Sequence, residues 1–289
     1  MILVTGASGQ VGRAVVRSLG PTAPVRVLVR DEQRAAGLGA ARLAVGSFED
    51  EPSLARAMDG IATLFLAGRD NPDQVAQHAR VLRAAAAAGV THVVKLSALG
   101  ATPASPVGLM RSHAATEAEL RASHFSWTFL RPHLYMQNLL RFAAAVAGEG
   151  RLVAPMGAHR YPLVDTRDVA EAAAAVLRAP SAYAGQAYAL TGPRGLAYAE
   201  IAELLAGIVG REVEYVAAAP QDFRAGLVAA GIPAWRADDL AGIAAAYSDA
   251  DEQPSDDAEA LLGRPPTAID RFLADHRDTF LAGASRSHA

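Results

Sequence analysis

The chain has no cysteine, which excludes disulfides, thiolate catalysis and cysteine-based metal sites. Lysine is almost as scarce. Of 27 Lys+Arg residues only Lys95 is a lysine, and it falls inside the apolar run Val93-Val94-Lys95-Leu96, a poor position for an active-site lysine. No apolar run approaches the roughly 18 residues of a membrane span, so no membrane is expected as a partner. The apolar start of the chain has no basic segment before it and runs into a glycine turn, so it reads as a strand and not as a signal peptide. No His/Asp/Glu cluster has metal spacing, and no metal is expected. Neither sign of charge dominates: a net charge of −3 and a pI near 6.2 give no electrostatic reason to expect nucleic acid as a partner. With 51% hydrophobic and 20% charged residues, the 289 residues read as a soluble globular protein with an ample core. A cytoplasmic location is the default expectation.

The strongest positive signal is at the start of the chain. Residues Met1 to Gly12 are a short apolar run, then three glycines spaced three apart, then a helical pattern. Strand, turn and helix in that order open a dinucleotide-binding unit. Gly6 allows the tight turn, Gly9 lets backbone N–H groups approach a pyrophosphate, and Gly12 lets the following helix lie close on the sheet. The positive N-terminal end of that helix then faces the phosphates. Ala7, Ser8, Gln10 and Val11 complete the cofactor-binding turn.

Strand and helix signals then alternate. Strands are expected at 25–29, 42–46, 62–67, 92–97 and 127–131, with helices at 10–19, 51–58, 72–88 and 111–122. This βαβ rhythm implies an α/β Rossmann fold, a doubly wound parallel sheet with helices on both faces. Ligands of such a sheet bind beyond the carboxyl ends of its strands. Gly6, Arg30, Ser47, Ala67, Gly68, Ser97 and Pro132 are therefore expected to border one crevice. Beyond residue 150 the rhythm loosens. Segments 161–164 and 186–190 read as further strands, 166–177, 197–209 and 220–230 as helices, and the acidic 249–257 as a solvated loop. The expected organisation is a dinucleotide-binding core over 1–150, with the strand near 186–190 returning to it. A smaller, mostly helical substrate-side subdomain follows over 151–281, then a flexible tail over 282–289.

The end of the second strand selects the cofactor. An acidic residue there accepts the ribose hydroxyls of NAD, whereas an arginine accommodates the 2′-phosphate of NADP. Arg30 stands at that end and Asp31 follows it. A planar guanidinium suits a phosphate, and the neighbouring carboxylate opposes it only if it points the same way. NADP is favoured, and NAD remains possible.

These motifs together resemble the short-chain dehydrogenase/reductase superfamily, in particular its atypical NmrA-like branch. The matching segments are Thr5 to Gly12, Leu28-Val29-Arg30-Asp31, Val93 to Ser97, Leu130-Arg131-Pro132 with Tyr135 and Asn138, and Asp165 to Ala170. The Gly185 to Val216 stretch, with Leu190 to Pro193, and Gly263 to Pro266 also match, so the likeness runs from residue 1 to about 280. That branch includes NADPH-dependent quinone oxidoreductases and redox-sensing regulators. The resemblance implies bound NADP(H) and a small aromatic or quinone-like substrate.

The departures matter as much. Catalytic members of the superfamily carry Tyr-x-x-x-Lys on the helix after the fifth strand. Here Leu109 falls at the Tyr position and His113 at the Lys position, and no tyrosine in the chain has a lysine four residues on. His113 becomes the candidate to contact the nicotinamide ribose or to deliver a proton; a structural histidine packing the crevice wall is the alternative. Ser97 matches the superfamily serine and can bond a substrate oxygen, or it can be a turn cap. Glu117, one turn beyond His113, can orient it or be solvated. The branch usually has Gly-Asp-x-x-Asp after the third strand, where this chain has Gly46-Ser47-Phe48-Glu49-Asp50. Ser47 then replaces the carboxylate beside adenine, and Phe48 stacks there or belongs to the core. His133, Tyr135 and Asn138 are the polar candidates for substrate contact. Asp165 and Asp168 read as helix caps, and Gly263 to Pro266 as a turn.

Two functions fit these residues. One is an NAD(P)H-dependent oxidoreductase that transfers hydride to a quinone or to an aromatic, polyketide-type carbonyl without the usual Tyr and Lys. The other is a non-catalytic dinucleotide sensor acting through a partner protein. The oligomeric state stays open.

Overall fold

The computed structural model of the chain describes residues 1–39, 42–247 and 252–282. Its first half alternates strand and helix: β1 (Ile2–Val4), α1 (Gln10–Leu19), β2 (Val25–Val29), β3 (Arg42–Val45), α2 (Glu51–Met58), β4 (Thr63–Leu66), α3 (Gln74–Ala87), β5 (His92–Leu96), α4 (Gly108–Ala122) and β6 (Ser126–Pro132). The second half holds α5 (Ala143–Glu149), β7 (Arg151–Ala154), α6 (Thr166–Arg178), β8 (Gln186–Leu190), α7 (Tyr198–Val209) and β9 (Glu214–Ala217). It ends with α8 (Pro220–Ala229), α9 (Ala234–Ala241), α10 (Asp257–Leu262), α11 (Ile269–Asp275) and α12 (Arg277–Ala282).

Seven strands pair in the order β3-β2-β1-β4-β5-β6-β8, every neighbour parallel. The chain leaves β1 toward β2 and β3, then returns to its other side with β4, so the strand order reverses at β1. This is the place where a doubly wound sheet opens a crevice at its carboxyl edge.

Period-two alternation assigns each strand residue to a face. Ile2, Val4, Val27, Val29, Phe65 and Val94 face α1, α6 and α10. Leu3, Leu28, Leu64, Leu66, Val93 and Phe129 face α2, α3 and α4. On α1 the stripe Val11, Val15, Val16, Leu19 has helical spacing and is buried against the first of these faces.

A separate apolar cluster, with Leu139, Val146, Leu152, Tyr161, Ile201 and Phe272, joins the 3-10 turn Met136–Phe142 to α5, α7, α11 and a two-stranded parallel sheet of β7 and β9. Those two strands are absent from the sequence reading, because each has four residues and finds its partner some sixty residues away. Conversely, 161–164 is no strand: Tyr161 and Val164 make only isolated bridges, to Leu196 and Tyr135. Pro162, between them, has no N–H to give a ladder. The acidic segment is only partly the loop expected. Its residues 249–251 lie outside the described residues, but Asp257 opens α10 and accepts a hydrogen bond from the Ala189 N–H at 2.7 Å, fastening β8. Of the expected tail, Ala282 closes α12 and 283–289 lie outside the described residues. Among the described residues, no helix is long and apolar enough to cross a membrane.

Candidate active site

The glycine turn is built by close approach of backbone to backbone. Gly6 has φ +62°, a left-handed conformation that side chains strain. A Cβ on Gly12 would lie 2.2 Å from the Gly6 carbonyl oxygen, and one on Gly9 3.2 Å from the same atom. The helix start therefore presses on the turn itself rather than on the sheet. The Gly9 N–H closes the turn on Gly6 O at 2.9 Å. Beneath it the buried Thr5 hydroxyl donates to Ala67 O (2.7 Å) and accepts from the Ala67 N–H (2.9 Å), tying β1 to the end of β4. No side chain caps α1 and no acid sits in its first turn. The N–H groups of its first turn thus present positive potential to the crevice, a setting that suits a pyrophosphate.

Most expected residues do meet in one place. A crevice of ≈ 490 Å³ is lined by Gly6, Gly9, Gln10, Val11, Gly12, Ala67, Gly68, Ser97, His113, Pro132, His133, Tyr135 and Asn138. Its lining also includes Leu109, Arg141, Arg236 and Tyr247, from outside the expected set. Five expected cofactor residues are not in that lining. Ala7 is fully buried under the turn, and the Ser8 carbonyl accepts from Arg13 Nε at 3.2 Å. Ser47 is consumed by the approach to α2: its N–H donates to Ser53 Oγ (3.2 Å) and its hydroxyl accepts from the Glu49 N–H (3.3 Å). Phe48 stands edge-on to His78, ring centres 6.1 Å apart, and packs against the core between α2 and α3. Arg30 is exposed at the end of β2, clear of the lining, with no hydrogen-bond or ion-pair partner among the described residues. Asp31 is turned away from it, accepting from the Arg34 N–H (3.0 Å) and Nε (2.8 Å).

Lys95 does not line the crevice, but it lies directly behind a residue that does. It lies two residues beyond Val93 and so shares the face of β5 that meets α3 and α4. There its fully buried Nζ contacts His113 Nδ1 at 3.0 Å and donates to Leu96 O at 2.5 Å. Burial pulls its pKa from 10.5 down to about 7, against the opposing pull of the Glu117 and Asp70 carboxylates. His113 is held neutral by burial, and then by the charge of Lys95 and the nearness of His78. A charged Lys95 can only donate, so Nδ1 accepts and the ring proton sits on Nε2. Nε2 has no hydrogen-bond partner among the described residues, and His113 belongs to the crevice wall. The neighbouring His78 on α3 is buried with its Nδ1 3.4 Å from Thr116 Oγ1 and its Nε2 unpartnered.

Glu117 neither orients His113 nor is solvated. It is buried, and its Oε1 accepts from Ser97 Oγ (2.6 Å) and Arg131 Nε (2.9 Å). Its Oε2 accepts from Arg121 Nη2 (3.0 Å) and from Arg131 Nη2. Burial alone would raise its pKa, but the hydrogen bonds from Arg131 and Ser97 and the two guanidinium charges hold it below the usual range. The Ser97 proton is thereby committed, leaving that hydroxyl an acceptor toward the crevice. Removing the carboxylate leaves two arginines against an empty buried gap, so Glu117→Ala should cost about 3 kcal/mol of unfolding free energy. Urea denaturation measures this, and a loss below about 1 kcal/mol would mean the pairs behave as solvated ones.

The outer wall follows β6. His133 stacks on Tyr247 (4.3 Å, 23°) with both ring nitrogens buried and unpartnered, and burial pushes its pKa down to about 3. Burial and Asp70 raise the Tyr135 phenol above its ordinary value. The turn carrying Asn138 and Arg141 is fixed by Gln137, which donates to Asp165 Oδ1 (2.8 Å) and accepts from the Thr166 N–H (3.1 Å). Asp165 also caps α6. Asp168, beyond its place in the first turn, accepts from Arg264 Nη2 (2.9 Å) and the Thr267 N–H (2.6 Å), so the Gly263 to Pro266 turn is a latch onto α6. Sequence reasoning also misses Asp239. The N-cap of α4 is Val107, whose side chain cannot cap it, and Asp239 Oδ1 of α9 accepts from the Gly108 (2.8 Å) and Leu109 (3.3 Å) N–H groups instead. No group of three or more potential metal ligands occurs among the described residues.

A Rossmann sheet, with a capless glycine turn and a crevice at its switch point, defines a dinucleotide-binding protein. The profile of the NmrA-like family matches residues 1–277, and the chain belongs to that family. It is 34% identical to an NAD(P)H azoreductase of Xenophilus azovorans, over 97% of this chain and 99% of the relative. It is 33% identical to quinone oxidoreductase 2 of Escherichia coli, over 93% of this chain and 96% of the relative. The crystal structure of an NADPH-dependent quinone oxidoreductase from Escherichia coli, complexed with NADPH, superposes with a TM-score of 0.85 at 30% identity, covering 95% of this chain and 99% of that one.

Proposed function

We propose that the chain is an NADPH-dependent reductase of quinones and of related electron-poor aromatic or polyketide-type carbonyls, with His113 as proton donor and Lys95 behind it. The contact between Lys95 Nζ and His113 Nδ1, 3.0 Å, carries this reading. The names of the azoreductase and quinone oxidoreductase relatives support a planar, electron-poor, small-molecule acceptor. An uncompensated Arg30 beside an Asp31 already engaged by Arg34 supports NADPH over NADH.

Bound NADPH supplies the hydride. The first-turn N–H groups of α1 and the Gly6 to Gly12 turn would hold its pyrophosphate, and Ser97 and Pro132 would wall the nicotinamide. As negative charge grows on the acceptor oxygen, the His113 Nε2 proton moves to it while a Lys95 Nζ proton moves to Nδ1. Histidine stays neutral throughout and lysine ends uncharged, reloading through His113 from crevice water. This supplies the acid function of the missing Tyr-x-x-x-Lys pair. Tyr135 and Asn138 would position the acceptor through their polar atoms and His133 through its stacked ring, all three lining the crevice.

NADPH and NADH oxidation across a panel of quinones and aromatic ketones tests the reading. Turnover with NADPH preferred by at least about tenfold in kcat/KM is expected, and tight NADPH binding without turnover of any acceptor would remove it. His113→Ala should lower kcat by more than about tenfold with an aromatic ketone, and by less with a quinone, whose hydroquinone anion can take its proton from water. Wild-type rates with the ketone would take the proton away from His113.

A further inference from the structure

The crevice carries a second cationic pair, on segments other than its phosphate-binding turn. Arg141 and Arg236 both line it. Arg141 lies three residues past Asn138 on the 3-10 turn after β6 and has no carboxylate partner among the described residues. The charged and polar groups acting on it are Arg236 and the Tyr198 phenol; burial first, then the Arg236 charge, push its pKa down. Arg236 in turn has only a loose contact, 3.5 Å, to Asp70 Oδ2, and its guanidinium lies 5.9 Å from the centre of the Trp235 ring. The other nearby carboxylate, Asp239, is occupied by the N-terminus of α4. Arg236 therefore has one weak acid partner and Arg141 has none among the described residues, so the pair brings net positive charge to the crevice wall.

The cofactor's phosphates do not account for this pair. The pyrophosphate cradle follows β1, while Arg141 stands on the turn after β6, a strand three places away from β1 in the sheet. Arg30, the candidate for a 2′-phosphate, is on the opposite side, at β2. Arg141 and Arg236 instead border the region of His133, Tyr135 and Asn138, where the acceptor would lie. Paired planar guanidiniums suit an oxyanion with several acceptor oxygens.

We propose that Arg141 and Arg236 form an anion subsite that takes a carboxylate, sulfonate or phosphate monoester carried by an aromatic acceptor. The word acceptor rests on the reductase reading above, whereas binding at the subsite does not depend on turnover. An acidic substituent held between the two guanidiniums fixes one end of a planar molecule, leaving its reducible end toward His113.

Calorimetric titration of the protein saturated with NADP+ with naphthalene-2-sulfonate, and with the uncharged 2-naphthalenemethanol, reads the subsite directly. The sulfonate should bind about tenfold more tightly, and high salt should shrink that margin. Arg141→Gln and Arg236→Gln should each erase most of it, with NADP+ affinity retained as the check that the fold is intact. Equal affinities for the two ligands, or a preference that survives both substitutions, would overturn the proposal. The same comparison in turnover uses a sulfonated and an uncharged naphthoquinone. Selective sulfonate binding with no quinone reduced would leave the subsite standing and remove the reductase reading. Reduction of both quinones with equal KM would do the reverse.

Discussion

Lys95→Met should uncouple stability from turnover. Methionine matches the length of the lysine stem without its charge, so the layer between β5 and α4 can close over it, while His113 Nδ1 loses the hydrogen bond from Lys95. Turnover with carbonyl acceptors should drop by about two to three orders of magnitude, the range over which positioned proton transfer acts. Stability should change in a way that identifies the proton. In the unfolded chain the lysine titrates near 10.5 and in the folded one near 7. Between those values the unfolded state holds a proton that the folded state has released, so stability rises with pH by up to about 1.4 kcal/mol per pH unit. That contribution is complete above 10.5 and is lost as pH falls through about 7. Denaturation curves between neutral pH and pH 9 should show this slope in the wild type and about one proton less in Lys95→Met. The wild-type kcat should fall over the same range as Lys95 loses its charge. Unchanged turnover, or matching slopes, would leave Lys95 a buried curiosity with no part in the reaction.

The other large effect belongs to the glycine turn. Gly12→Ala places a methyl where the Gly6 carbonyl oxygen lies 2.2 Å away, and the atoms it meets are all backbone, so nothing can swing aside. Either the start of α1 lifts or the turn opens, and in both cases the first-turn N–H groups no longer converge on a phosphate. The dissociation constant for NADPH should rise about a hundredfold, a change near 3 kcal/mol. Gly207→Ala is the matched control, since nothing lies within 4 Å of a Cβ there and the residue sits inside α7. It should leave NADPH binding untouched and stabilise the fold by up to about 1 kcal/mol. Fluorescence titration with NADPH measures both, and near-normal affinity in Gly12→Ala would disprove the account of the turn.

The parts of this molecule that can be read from sequence are those whose partners are near in the chain or whose pattern repeats. Met1 to Gly12 states its own geometry, and the buried strands of a parallel sheet announce themselves by composition, so the sheet and the mouth of the crevice were legible. The contact of Lys95 with His113 was not foreseen, because a single charge in an apolar run looks like an intrusion. Counting two residues from Val93 places it on the face that α4 covers, which is a signal the sequence does contain. Glu117 illustrates a different limit, since its charge partners Arg131 and Arg121 are close in sequence but its burial is set by the packing of α4 on β6. Ser47 was assigned to adenine through the position of its loop and Phe48 either to adenine or to the core; in the fold Ser47 bonds Ser53 and Glu49 and Phe48 meets the ring of His78. Arg141, Arg236 and Asp239 carry no motif, and only the folded C-terminal half brings them to the crevice.

The hydrogen bonds from Gly108 and Leu109 to Asp239 have an evolutionary corollary. The side chains proposed to handle the proton stand on β5 and α4, laid down before residue 120, while part of the crevice wall comes from α9 and the turn after it. Mutation can therefore reshape that later segment and exchange one acceptor for another without disturbing how protons are delivered. One carboxylate is exempt from this freedom: whatever else drifts in α9, an acid must remain at 239 to finish the helix that holds His113.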